Sequence, residues 1–144
     1  MSELSIIAHD YALNAEYARK FNDAVLILKR RYLLGRVGNG ETEETVKQAR
    51  LNLKALLEAL VAALQDDGGR VWSSDQAQVP ADFLDRFRKR VKGDFEEALA
   101  ELRRTLDDLA KGATLREPAF KVLDVVSETA DETASAAFRR LRRI

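Results

Sequence analysis

The chain has 144 residues and balances 24 lysines and arginines against 24 aspartates and glutamates, so its formal net charge is zero. This balance excludes a global field that would steer nucleic acid or an anionic membrane toward the protein, and leaves only local clusters to bind them. The absence of cysteine excludes disulfides, thiolate nucleophiles and cysteine-based metal sites.

The first predicted helix covers residues 3–36. Its apolar residues recur at spacings of three and four, the period of a helix rather than of a strand. They are Leu4, Ile7, Tyr11, Ala15, Ala18, Phe21, Val25, Leu28 and Tyr32. Further apolar residues lie outside this stripe, and Ala24–Leu28 is apolar at five successive positions. Because five successive helical residues span about 500 degrees, at least one of them must point away from a core.

Three further helices are predicted over residues 42–66, 81–111 and 117–142, separated by glycines and prolines that break helices. The first of the three carries Glu43 and Glu44 in its first turn, where carboxylates complement the helix dipole. Prolines stand at the start of the other two. Gly93 lies inside the helix over residues 81–111, at a cost of about 1 kcal/mol relative to alanine, which a long helix tolerates.

Four helices joined mainly by short connections predict an all-α fold, an antiparallel up-down-up-down four-helix bundle with long helices. A chain of this length fits one domain, which we expect to cover residues 1–144. The connection from Asp67 to Pro80 is the longest, and it contains Val71 and Trp72, which are poor residues for a bare solvent loop. We expect Trp72 to fold back over one end of the bundle.

The chain lacks the motifs of the catalytic and metal-binding chemistry that helical bundles host. Its single histidine, His9, has no glutamate three residues before it, so the Glu-x-x-His pairs of di-iron bundles are absent. Zinc sites of the ordinary type fail for the same lack of ligands. The glycines of 35–40 follow a predicted helix and lack the Lys-Ser/Thr of a phosphate-binding loop. The sequence therefore predicts no enzyme activity, no cofactor and no metal.

The first residues of the chain have no basic stretch ahead of an apolar run, so no secretory signal is predicted. The longest apolar runs, such as Ala24–Leu28, which includes Val25–Leu28, and Ala59–Leu64, fall far short of the roughly 20 residues that a membrane-spanning helix needs. We therefore expect a cytoplasmic protein that does not enter a membrane.

A basic cluster is predicted at one end of the bundle, where the start of the third helix meets the end of the fourth. Its candidate contacts to nucleic acid are Arg86, Lys89, Arg90, Arg139, Arg140, Arg142 and Arg143. Such a cluster holds a phosphate backbone through salt-dependent contacts. The alternative is that acidic residues at the same end neutralise it, namely Asp66, Asp67, Asp82 and Asp85. The cluster has no regular series of aromatic residues between its basic residues that could stack successive bases, which favours this alternative.

Small residues dominate the middle of the fourth helix. They are Thr129, Ala130, Thr133, Ala134, Ser135, Ala136 and Ala137. They let another helix approach closely, either inside the bundle or across a subunit interface, and close packing inside the bundle is the simpler interpretation.

The surplus apolar residues of the first helix are the strongest functional signal. The interface candidates are Leu26, Ile27, Leu33 and Leu34. A helix that is apolar all round is central or covered by a partner, and no helix is central in a four-helix bundle. A second copy of the chain or a different chain would cover these residues, unless the connection from Asp67 to Pro80 covers them. The sequence thus predicts a non-enzymatic protein–protein interaction module, an adaptor or small accessory subunit; the alternative is a helical nucleic-acid-binding subunit.

Overall fold

A computed structural model describes residues 2–36, 40–65 and 79–143 of the chain. Within these ranges the chain forms five α-helices and no strand. They are α1 Glu3–Leu34, α2 Glu43–Gln65, α3 Ala81–Arg90, α4 Phe95–Lys111 and α5 Glu117–Arg142. The all-helical prediction is confirmed, whereas a bundle of four helices is not, because five helices are present in these ranges. The predicted cover by Val71 and Trp72 concerns residues outside the described ranges.

The difference lies in the third predicted helix, which is two helices separated by a turn over residues 91–94. The Val91 N–H still donates to the Phe87 carbonyl, but the Asp94 N–H donates back to the Val91 carbonyl at 2.8 Å. A new helix then begins, with the Ala98 N–H donating to the Asp94 carbonyl. Gly93 lies inside this turn.

The core explains the break. Phe83 and Phe87 of α3 are fully buried. In α4, Leu102 is fully buried and Leu99 is 5% exposed. In one straight helix, Phe83 and Leu99 would stand about 160 degrees apart around the axis, on opposite faces. Ending one helix and starting another turns both faces inward.

The helices pack around one another as a bundle. α1 lies against α2 and α5, α4 bridges α2 and α5, and α3 lies mainly against α5. Lys29, late in α1, contacts Asp124, early in α5, while Tyr11 near the start of α1 contacts Phe138 near the end of α5. These two helices therefore run in opposite directions.

The interior is a single apolar cluster with contributions from all five helices. Its largest fully buried side chains are Phe21, Phe83, Phe87, Leu53, Leu57, Leu60, Leu102 and Leu123. Aromatic rings form a chain through it, since the Tyr17 ring lies 6.3 Å from Phe21 and 5.0 Å from Phe83. Phe21, from the predicted apolar stripe of the first helix, is fully buried in this core, whereas Phe95 is only partly buried.

In the part of the chain that the structure describes, four polar residues are buried with this core: Asn14, Thr105, Thr129 and Thr133. Each donates a hydrogen bond to a carbonyl four residues earlier in its own helix, at 2.7–2.8 Å. Such bonds satisfy the buried donors without linking one helix to another.

The helix ends are capped locally. The Ser2 hydroxyl accepts the Ser5 N–H at the start of α1, and the Thr42 hydroxyl accepts the Thr45 N–H at the start of α2. Gly35 closes α1 with a φ of 65 degrees, a conformation that favours glycine. Within the described ranges, no helix has both the length and the apolar character to cross a membrane.

Candidate protein interface

Three of the four predicted interface residues are exposed. Leu26 is 47% exposed, Leu33 is 70% exposed and Leu34 is 53% exposed. Ile27 differs, because it is half-buried and packs against the core beside α2. One residue along a helix is a turn of about 100 degrees, which carries the side chain from the outer face into the α1–α2 groove.

The five apolar residues of Ala24–Leu28 lie in three different environments around α1. Ala24, Val25 and Leu28 are at most 5% exposed, so they belong to the core. Ile27 lines the groove against α2, and Leu26 faces outward. The prediction that at least one residue of this run points away from the core is met at Leu26.

We define the outer strip of α1 as Arg19, Asp23, Leu26, Arg30 and Leu33. On one side of it Ile27 faces α2, and on the other side Lys29 binds Asp124 of α5 at 3.0 Å. Arg19, Leu26 and Leu33 are spaced by seven residues, which is about 20 degrees short of two full turns, so they share a face. Asp23 and Arg30 form a second, adjacent row with the same spacing.

The charged members of the outer strip have neighbours within the chain. Arg19 lies 3.6 Å from Asp23, and both side chains are more than 60% exposed, so this contact contributes little. Arg30 is bound more closely: its Nη1 donates to Glu41 Oε1 at 2.6 Å, linking the end of α1 to the start of α2. Leu34 lies beside the strip, turned about 100 degrees from Leu33.

A shallow groove separates α1 from α5, floored by alanines and closed at one end by the contacting rings of Tyr11 and Phe138. The small residues of α5 account for the close approach of these two helices. Ala130, Thr133 and Ala137 are buried, which favours packing inside the bundle over a subunit interface.

The basic cluster is brought together only in part. Arg86, Arg90 and Arg139 line a groove between α3 and α5, together with Glu128, Asp131 and Glu132. Arg90 binds Glu128 at 3.2 Å and Glu132 at 2.5 Å.

Neutralisation of Arg90 therefore comes from Glu128 and Glu132 of α5, which are not among the acidic residues predicted for this role. Within the described ranges, neither Asp82 nor Asp85 forms an ion pair with this cluster, and Asp66 and Asp67 lie outside those ranges. The signal available in the sequence was the pair Glu128 and Glu132, one turn apart on the helix that carries the arginines.

The remaining basic residues are spread over the ends of α3 and α5. Lys89, Arg140 and Arg143 are exposed and form no ion pair with another residue of the described ranges. The Arg142 guanidinium lies 5.8 Å from the centre of the Phe138 ring, a cation–π contact. Arg88, next to the cluster, donates instead to the Ala63 carbonyl at the end of α2.

Two buried polar atoms escaped the sequence analysis. The Tyr17 hydroxyl and Asn14 Oδ1 have no hydrogen-bond partner among the described residues. Burial raises the pKa of the Tyr17 phenol above its ordinary range. At the surface, a hydrogen bond from Lys111 to Asp107 at 2.7 Å raises the pKa of that lysine. The burial of Tyr17 was not predicted, because Tyr17 lies next to the predicted apolar stripe of α1 and not within it.

No cluster of three or more histidine, aspartate or glutamate side chains suited to a metal ion occurs in the part of the chain that the structure describes. Comparison with models of known families, with curated proteins and with solved structures gave no match to this chain.

Proposed function

We propose that this chain is a non-enzymatic helical interaction module, an adaptor or small accessory subunit that works in the cytoplasm and binds protein through the outer strip of α1. The observation that carries the proposal is the exposure of Leu26, Leu33 and Leu34 along one helix. The other described residues cover these leucines only in part.

The energetics favour a covered strip. Burying a leucine side chain completely is worth about 1.5–3 kcal/mol, and these three residues remain 47–70% exposed in the isolated chain. Single exposed leucines are ordinary on protein surfaces, but neighbouring ones mark contact sites. Here Leu26 and Leu33 occupy the same face two turns apart.

For the fold we propose that α3 and α4 together take the place of one helix, so that the chain is an antiparallel up-down-up-down bundle of one domain. The opposed directions of α1 and α5 support this. So does the contact of Arg50, early in α2, with the Asp108 and Leu109 carbonyls at the end of α4.

A capture experiment tests the proposed function. The immobilised full-length chain is compared with Leu26→Lys/Leu33→Glu in nuclease-treated lysate of the source cells, and retained proteins are identified and rebound in purified form. We expect the wild type to retain a protein, another copy or a different chain, that the double variant loses. Ile27 is left unchanged because a charge there would damage the core.

Leu51→Lys is the matched control, because Leu51 is 53% exposed on α2, away from the strip. This variant should retain the same protein as the wild type. If the double variant binds as well as the control, α1 is not the binding surface and the proposed function fails.

Nucleic-acid binding is the second candidate, supported by the exposed arginines at the end of α5, of which Arg140 and Arg143 are unpaired with any described residue. Replacing Arg139, Arg140, Arg142 and Arg143 by serine should then abolish binding to single- or double-stranded nucleic acid. Binding by the wild type should weaken steeply as salt rises, because released counterions drive it. A wild type that binds neither at low salt removes this candidate.

A further inference from the structure

The outer strip of α1 is complementary to itself when it is reversed. Its residues read, in order, Arg19, Asp23, Leu26, Arg30 and Leu33. Leu26 lies at the centre, the oppositely charged Asp23 and Arg30 lie on either side of it, and Arg19 and Leu33 lie seven residues from it in each direction. All five side chains are exposed.

Two copies of this strip fit together when they run in opposite directions around a two-fold axis at Leu26. Leu26 then meets Leu26 of the second copy, and Asp23 meets Arg30 of the second copy. Two-fold symmetry makes each contact occur twice, so the interface has two Asp23–Arg30 pairs around one apolar centre. At the ends, the aliphatic stem of Arg19 covers Leu33 of the second copy, leaving its guanidinium in water.

The contacts within one copy are compatible with this pairing. Arg30 binds Glu41 through Nη1, and a guanidinium has further donors for a second carboxylate. Among the described residues, Asp23 is held only by the exposed contact to Arg19 at 3.6 Å, which a closer partner displaces easily.

We propose that the occupant of the outer strip is a second copy of this chain, docked antiparallel along α1 with Asp23 of each copy bound to Arg30 of the other. The proposal rests on the proposed function and names its partner. The strip runs for about 20 Å, at 1.5 Å per residue. A stable interface buries roughly 800 Å² on each partner, so an interface built on one strip of this length gives a weak, concentration-dependent dimer.

Sedimentation equilibrium of the full chain over a wide concentration range tests this pairing, using Asp23→Lys and Arg30→Glu. Each single variant sets like charges against each other twice, so its dimer dissociation constant should rise by about ten-fold or more. An equimolar mixture of the two variants should dimerise again. In the mixed dimer, Lys at position 23 of one copy faces Glu at position 30 of the other, and the native Asp23–Arg30 pair forms on the opposite side.

Glu58→Lys is the control, a charge reversal on α2 that should leave the wild-type dimer unchanged; thermal unfolding of each variant verifies its fold. Rescue in the mixture supports the antiparallel pairing, because damage to the fold of either variant would not be repaired by mixing. A wild type that stays monomeric throughout overturns the proposal, and so does a dimer indifferent to both reversals or a mixture without rescue. If the monomeric wild type still captures a different protein that Leu26→Lys/Leu33→Glu loses, the proposed function stands and only the second copy is wrong.

Discussion

The Tyr17 side chain packs through its ring, and its hydroxyl group makes no hydrogen bond with the described residues. The ring packs between Phe21 and Phe83, and the hydroxyl is buried without a hydrogen-bond partner among the described residues. An unsatisfied buried hydroxyl costs free energy that phenylalanine does not incur. We expect Tyr17→Phe to raise the free energy of unfolding by about 1 kcal/mol, measured by urea denaturation. The half-exposed Tyr32→Phe is the control and should change it by far less.

The same residue links stability to alkaline pH. Its pKa is raised in the folded chain, whereas in the unfolded chain it titrates near 10. Burying the phenol in its neutral form therefore costs no ionisation energy below about pH 10. Above that pH the unfolded chain releases the proton while the folded chain keeps it, so the free energy of unfolding falls. We expect wild-type stability to fall more steeply than that of Tyr17→Phe above pH 10, in urea titrations at several pH values. Parallel curves would show that Tyr17 ionises as freely in the folded chain as in the unfolded one.

The two phenylalanines nearest the turn between α3 and α4 separate core from periphery. Phe87 is fully buried, whereas Phe95 is only partly buried. We expect Phe87→Ala to lower the free energy of unfolding by about 3–5 kcal/mol. Phe95→Ala should lower it by about 1–2 kcal/mol, since it loses only part of a buried side chain. Equal losses, again from urea denaturation, would mean that α4 is rotated relative to the structure described above.

The turn over residues 91–94, between α3 and α4, contains Gly93, and substitution tests whether this glycine causes the turn. Its φ is not positive, and a Cβ added there would meet no atom within 4 Å. If the core sets the turn, Gly93→Ala should be neutral or should stabilise by about 0.4–1 kcal/mol, because alanine restricts the unfolded chain. Gly112, with a φ of 76 degrees at the end of α4, is the contrasting control.

Gly112→Ala should cost about 1 kcal/mol or more, because alanine is strained in the left-handed conformation. The two variants are compared by urea denaturation. A loss at Gly93 as large as that at Gly112 would show that the glycine itself is needed for the turn.

The sequence predicted α1, α2 and α5 to within two residues at each end, because capping residues and glycines mark those ends locally. The split of the third helix was not predictable in the same way. Leu84, Phe87, Val91 and Phe95 continue a helical spacing straight through the turn. What opposes that continuity is the burial of Phe83, which depends on Tyr17 in another helix.

Across the assembled bundle, the sequence predicts that an apolar residue of α1 faces outward but not which residue it is. Five apolar residues in a row require an outward-facing side chain, but the positions of α2 and α5 decide that it is Leu26 and not Ile27. The basic cluster has the same limit. Its arginines are evident in the sequence, whereas the pairing of Arg90 with Glu128 and Glu132 exists only once α3 lies on α5.

The buried polar residues of the described core bond only to their own helices, and this has a consequence for alignment. Side-chain hydrogen bonds between helices occur instead at the rim, as in Asn22 to Asp131 at 2.8 Å and Lys29 to Asp124 at 3.0 Å. Buried polar links often fix how far one helix slides past its neighbour. Here the groups that fix the alignment of α1 on α5 are in contact with water. Dissolved salt weakens the attraction between such groups, because the screening length is about 3 Å at 1 M salt. Concentrated salt should therefore loosen the lengthwise register of α1 on α5 while leaving the apolar interior assembled.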